Sequence, residues 1–395
     1  MKARQNTHPD PSVDVVAAAK SLVPLILASR DEGEQIRRVP PPVAKALAAA
    51  GLLQMFLPRS MGGPELAPLT VFRAIEEISK ADGSIGWCTM IATDASLVLG
   101  WLSAEVGRQL CGQPANFRCA GSLRPLGRAY PVDGGYRVQG HRNFASGIDH
   151  ANWLYCPCII TDGDKPQLTE AGTPRVRAML LPSDQATIQD TWSVVGTRGT
   201  GSQDFVVDDV LVPDARTCFL GDPPVETGPL YNPRLVFVTV FTSVAANSLG
   251  IARGAIDALI ELAARVSSTR STDVLRDRPF VQTRLAEAEA ILNAARAYVV
   301  GSIGALWEEV CAGASDPSLA IAQARLAIVH AMHEAVRSVD LVFHAAGTNA
   351  IYNRNPLERY FRDIHVAVQH NAAFPAQYES AGKVLMGLRP IDMGW

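Results

Sequence analysis

The sequence predicts a mainly α protein with a β insertion. An N-terminal helical domain covers residues 1–117, a middle β domain 118–225 and a C-terminal helical bundle 226–395. Three observations predict this. Apolar residues recur with helical spacing at both ends of the chain. Short alternating or apolar runs bounded by Gly and Asp lie between them. No internal repeat appears, and 395 residues exceed one ordinary core.

In the first third, Val13, Val16, Ala17, Leu22, Leu25 and Ile26 keep a helical period. Pro40-Pro41-Pro42 opens a second helix, which Gly51 can end. A helix over Leu69–Lys80 follows, then Asp82-Gly83-Ser84 as turn and cap, then an apolar helix over Ile85–Trp101. The texture changes near Asn116. Val132-Asp133-Gly134-Gly135-Tyr136 reads as a hairpin, and 153–160, 176–181, 192–195 and 204–212 read as strands. Long helices return at 244–266, 281–307 and 318–346, with Gly347 at a C-cap position. The last long helix starts at an Asn355 cap, with Pro356 at its first position and Glu358 three residues after the cap.

Composition narrows the function. A net charge of −3 gives no electrostatic reason for nucleic acid or an anionic membrane as partner. The run Val13–Leu27 is too short to span a bilayer, and the polar start carries no signal peptide. Seven cysteines without a C-x-x-C read as reduced and mostly buried, which fits a cytoplasmic protein. Dinucleotide, P-loop, zinc-protease and nucleophile-elbow motifs are absent. His330 and His333 share a helix but have no second ligand pair, so no metal site is expected.

Three segments can carry chemistry. The stretch from Arg142 to His150, RNFASGIDH, is the expected reaction centre. Gly196–Ser202 combines glycines with hydroxyls. Spacing alone favours a tight β-turn there over a ligand loop. His365 and His370 lie on the last long helix, roughly 140° apart, so at most one faces a given site. Asp363 falls on the face of His370. The pair reads equally as a base with its carboxylate or as a satisfied core histidine.

Spaced motifs over almost the whole chain resemble the acyl-CoA dehydrogenase superfamily. They are Leu57-Pro58-Arg59-Ser60-Met61-Gly62-Gly63, Trp192-x-x-x-Gly196-x-Arg198-x-x-Gly201-Ser202 with Asp208 to Pro213, and Ala345-Ala346-Gly347 with Asn355-Pro356-Leu357-Glu358-Arg359-x-x-Arg362-Asp363. The resemblance implies N-terminal helices, a middle β-barrel or sandwich and a C-terminal four-helix bundle, assembled as a homotetramer. Acyl-CoA dehydrogenases of the common type carry a catalytic glutamate where this chain has Asn371, and an amide cannot remove an α-proton.

The chain is instead similar to the flavin-dependent monooxygenase branch, which includes the 4-hydroxyphenylacetate, secosteroid-phenol, dibenzothiophene and indole oxygenases. Asp82-Gly83-Ser84-Ile85-Gly86-Trp87, Phe144-x-Ser146-Gly147-x-Asp149-His150 and His365-x-x-x-x-His370-Asn371 carry that likeness. It implies a two-component enzyme. Reduced FMN or FAD arrives from a separate NAD(P)H-dependent reductase, reacts with O2 to a C4a-hydroperoxide and hydroxylates a small aromatic or heteroaromatic molecule. The implied catalytic residues are Ser146, beside flavin N5 or the peroxide, and His370, as base. Phe144, Ser146, Thr200, Ser202, Arg270 and Gly347 would contact flavin, and Trp87, His365 and Asn371 substrate. An oxidase, an N-oxygenase, a dehydrogenase-like enzyme or a silent flavin-binding protein on the same fold are the alternatives.

Overall fold

The computed structural model describes residues 14–112, 116–170, 172–266 and 274–390. Five helices come first: α1 (Val15–Ile36), α2 (Pro41–Ala49), α3 (Pro68–Ala81), α4 (Gly83–Leu97) and α5 (Ala104–Cys111). Strands follow: β1 (Cys119–Gly121), β2 (Gly127–Val132), β3 (Gly135–Ala145), β4 (Trp153–Asp162), β5 (Lys165–Pro166), β6 (Val176–Pro182), β7 (Thr187–Gln189), β8 (Gln203–Pro213) and β9 (Thr217–Cys218). The chain then returns to helix: α6 (Val236–Ala263), α7 (Pro279–Cys311), α8 (Ser318–Ala346), α9 (Pro356–Ala367) and α10 (Ala376–Leu385).

The expected order of helices, sheet and bundle is therefore present. The strands form one mixed sheet in the order β7-β8-β3-β2-β4-β6-β9, with β1 and β5 also paired to β4. Its own core holds Val138, Leu154, Met179, Leu181 and Phe205, and a larger core runs through both helical regions. Helix α6 is central, packing on α3, α4, α8 and α9. Among the described residues two stretches, Pro233–Ala263 and α7, are long and apolar enough to cross a membrane. The first is 94% buried over that window and is a core helix, whereas α7 is 28% buried and leaves an apolar face open.

The caps follow the sequence. Asp82 accepts the Ile85 N–H at 2.9 Å, and Asn355 accepts that of Leu357 at 3.1 Å. Six of the seven cysteines are buried and none is bridged; Cys311 is exposed.

Three expectations are corrected. Residues 192–195 form a loop, not a strand. The Gln203 side-chain oxygen takes the N–H groups of both Thr191 and Trp192 at 2.9 Å, removing them from any ladder. The apolar helix over Ile85–Trp101 starts two residues earlier and tightens to a 3₁₀ turn at Val98–Trp101. Finally, α9 stops at Ala367, so His370 is off the helix. It caps the short turn Asn371–Ala373, where its Nδ1 accepts the Ala372 N–H at 3.2 Å.

Candidate active site

Four segments meet where β3 ends. Strand β3 carries Asn143, Phe144 and Ala145 into a turn at Ser146-Gly147. Gly147 has φ 75°, and its N–H donates to the Thr200 carbonyl at 2.9 Å. That bond ties the turn to the Gly196–Ser202 loop, in which Arg198–Thr200 form a 3₁₀ turn. Helix α4 supplies Trp87 from one side, and the turn after α9 supplies His370.

A chain of hydroxyls runs through this junction. Trp87 Nε1 lies 3.1 Å from Ser146 Oγ, Ser146 Oγ 2.7 Å from Ser202 Oγ, and Ser202 Oγ 2.6 Å from Thr200 Oγ1. Thr200 Oγ1 donates to the Thr197 carbonyl at 2.9 Å. The two ends fix the direction of every proton. Indole N–H can only donate, and the Thr200 proton is committed to a carbonyl that can only accept. Ser202 must then donate to Thr200, and Ser146 to Ser202. Ser146 is left with one lone pair and no available proton.

Helix α9 holds the loop in place. The Asp363 carboxylate accepts the Thr197 N–H at 2.5 Å, and Arg362 donates to the Val195 carbonyl at 2.7 Å. Arg359 and Arg362 also grip Glu34 of α1 at 2.7 and 2.6 Å. Burial, reinforced by Asp82, pushes the Asp363 carboxyl up to about 7. Asp363 therefore clamps the loop and does not orient His370, as the sequence had allowed. Gly196 passes so close to α9 that a Cβ there would lie 2.3 Å from the Arg362 carbonyl oxygen.

His370 stands edge-on to Trp87 and to Phe241 of α6, with ring centroids 5.8 and 5.9 Å away. Burial lowers its pKa to about 4, so the ring is neutral at physiological pH. Its Nδ1 is an acceptor, which leaves the proton on Nε2. His365 faces elsewhere: it bonds the Phe361 carbonyl at 2.7 Å and approaches Asp340 of α8 at 3.4 Å. Asn371 is exposed in the turn beside His370. Gly347 ends α8 with φ 59°. Arg270 lies outside the described residues.

The open side of the junction suits a flat, polar-edged ring system. Phe144 is half exposed in a left-handed conformation (φ 62°), and its ring stands edge-on to Trp192 at 6.2 Å. Asn143 Oδ1 next to it is buried without a partner. That orphan acceptor and the lone pair of Ser146 both call for N–H donors. These are groups that the edge of a reduced flavin carries. Sequence reasoning included Asn143 only as part of the 142–150 stretch and did not single out Gln203, because neither stands out by type.

A helical bundle with a β insertion, joined at a hydroxyl-lined junction, is the architecture of the acyl-CoA dehydrogenase fold class. Models of the acyl-CoA dehydrogenase N-terminal and C-terminal domains match residues 17–109 and 242–375. The oxygenase subunit HsaA of a flavin-dependent monooxygenase from Rhodococcus jostii is 32% identical over 94% of this chain and 98% of its own length. Indole-3-acetate monooxygenase of Pseudomonas putida is 34% identical over 91% and 90%. The crystal structure of 3-HSA hydroxylase from Rhodococcus sp. RHA1 superposes with a TM-score of 0.88 at 30% identity, over 98% of this chain and all of that one. The chain belongs to the oxygenase subunits of the flavin-dependent monooxygenases.

Proposed function

We propose that this chain takes reduced FMN or FAD from a separate NAD(P)H-dependent reductase and hydroxylates a small aromatic or heteroaromatic molecule with O2. The bound flavin supplies the electrons that place one oxygen atom in the ring and release the other as water. The observation that carries this reading is the fixed direction of the hydroxyl chain. Ser146 spends its proton on Ser202 and keeps one lone pair, so towards a flavin it can only accept, which matches the N5–H that a reduced flavin has and an oxidised one lacks. Asn143 Oδ1 adds a second acceptor, and Phe144 with Trp192 packs against the ring.

On the substrate side the walls are aromatic. Trp87, His370, Phe241 and Phe237 form a continuous edge-to-face series. His370 presents Nε2–H, a donor that holds the oxygen of a ring hydroxyl. For the ring to remove a proton instead, it must give up its bond to Ala372. The bare cysteines support a cytoplasmic location. The open face of α7, with Phe280 and Tyr298 exposed, supports a homotetramer closed through the bundle.

The test is to mix protein with reduced flavin under argon, admit O2 and add a phenol or an indole. Hydroxylated product is expected in step with flavin oxidised. Reoxidation as fast as in buffer, with all oxygen ending as H2O2, would overturn the reading. Ser146→Ala should raise the share of H2O2 about tenfold or more.

A further inference from the structure

His370 caps the turn Asn371–Ala373, and that turn is held from two other helices. His333 of α8 bonds the Ala373 carbonyl through Nε2 at 3.0 Å. Gln377 of α10 donates through Nε2 to the Asn371 carbonyl at 3.3 Å. The Phe374 N–H reaches the same oxygen at 3.1 Å, so both of its lone pairs are used. Arg325 of α8 in turn donates through Nη1 to Gln377 Oε1 at 3.4 Å.

The partners fix how the Gln377 amide lies. A guanidinium can only donate and a carbonyl can only accept. The amide must therefore turn its oxygen to Arg325 and its nitrogen to Asn371. Arg325 also reaches His370 by a second route. Its Cζ lies 5.8 Å from the centroid of the Phe241 ring, and the imidazole stands edge-on to that ring at 5.9 Å. Arg325 is 2% exposed and Gln377 5%. A cation buried this deeply is costly, and an apolar side chain would fill the bundle core at less cost. What Arg325 does that Leu or Met could not is to fix the Gln377 amide while bracing the ring wall behind the same histidine.

We propose that Gln377 and Arg325 are positioning residues for His370. Through the Asn371 carbonyl they hold the turn in which Nδ1 accepts the Ala372 N–H. They thereby keep the imidazole proton on Nε2, where it meets the ring hydroxyl of a substrate. Neither touches the reacting atoms. The inference rests on the donor role given to His370 in the hydroxylation proposed above.

Two probes of equal size test it, 4-ethylphenol and 4-ethyltoluene, which has a methyl group in place of the hydroxyl. Their dissociation constants are measured by equilibrium dialysis against the full chain with reduced flavin under argon. The wild type should favour the phenol. Gln377→Met matches the side chain in length and lacks both amide groups. It should cut that preference about fivefold, the worth of one hydrogen bond, and leave flavin affinity unchanged. His370→Ala should cut it at least as far, and adding Gln377→Met to His370→Ala should cost nothing more. Arg325→Lys, which keeps a donor for Gln377, should hold the preference, and Arg325→Met should lose it; if the latter does not fold, the Gln377 variant decides. An unchanged preference in Gln377→Met, with both probes weakened alike or not at all, would overturn the proposal. So would a double variant whose losses multiply. No preference in a wild type that still hydroxylates 4-ethylphenol would overturn this role alone. A wild type that shows the full pattern under argon but forms no product in air would sink the hydroxylation reading and leave the positioning role standing.

Discussion

At the scale of single residues the site is governed by which atoms have protons to give. Trp87→Phe removes the donor at the head of the hydroxyl chain and leaves Ser146, Ser202 and Thr200 in place. It should raise H2O2 release less than Ser146→Ala does, a difference read from product formed per flavin oxidised. The two depressed histidines set a pH dependence. Burial holds His370 near 4 and His150 near 4, the latter aided by Arg118, while an unfolded histidine titrates near about 6.5. Below pH 6.5 the unfolded chain binds protons that the folded chain refuses. Their stability contribution is present in full above about 6.5 and is lost as pH falls towards 4. The melting temperature should drop across that window, and His370→Gln should flatten the drop. The resemblance to the flavin-dependent monooxygenases pointed to Ser146, Thr200, Ser202 and His370, whereas spacing alone favoured a plain turn at Thr200 and Ser202. Neither could announce the direction of the hydrogen bonds, which depends on the Thr197 carbonyl.

At the scale of elements the glycine-rich loop is a rigid part, held between α1 and α9. Glu34, Arg359, Arg362 and Asp363 form that clamp, and burial of Glu34 is outweighed by its two arginines, which keep its carboxylate below the usual range. Gly196→Ala would drive a methyl group into the Arg362 carbonyl. It should cost about 1–3 kcal/mol of stability, the range for overpacking, and weaken flavin binding. Thermal melts and flavin titration check both. Regular elements were legible because period and caps agree, as at Asn355 and Asp82. The loop over 192–195 was not, because its apolar residues read as a strand until Gln203, a side chain from β8, removes the backbone donors. The end of α9 was equally hidden, since a histidine rather than a glycine or proline shapes the turn after it.

At the scale of the whole molecule the open face of α7 carries Phe280 and Tyr298, and Leu319 at the start of α8 is exposed beside it. Sedimentation should report a tetramer, and Leu319→Glu with Tyr298→Asp should shift it to smaller species. A single small species for the unaltered chain would sink that assembly. The order of the site residues along the chain has a consequence for biosynthesis. Trp87, Ser146, Thr200 and Ser202 leave the ribosome long before His370, and the clamp that sets their loop is not made until Arg362 and Asp363 emerge. A nascent or prematurely terminated chain can complete its sheet and still lack both the clamp and the histidine. The junction therefore cannot be assembled until the segment through His370 has emerged.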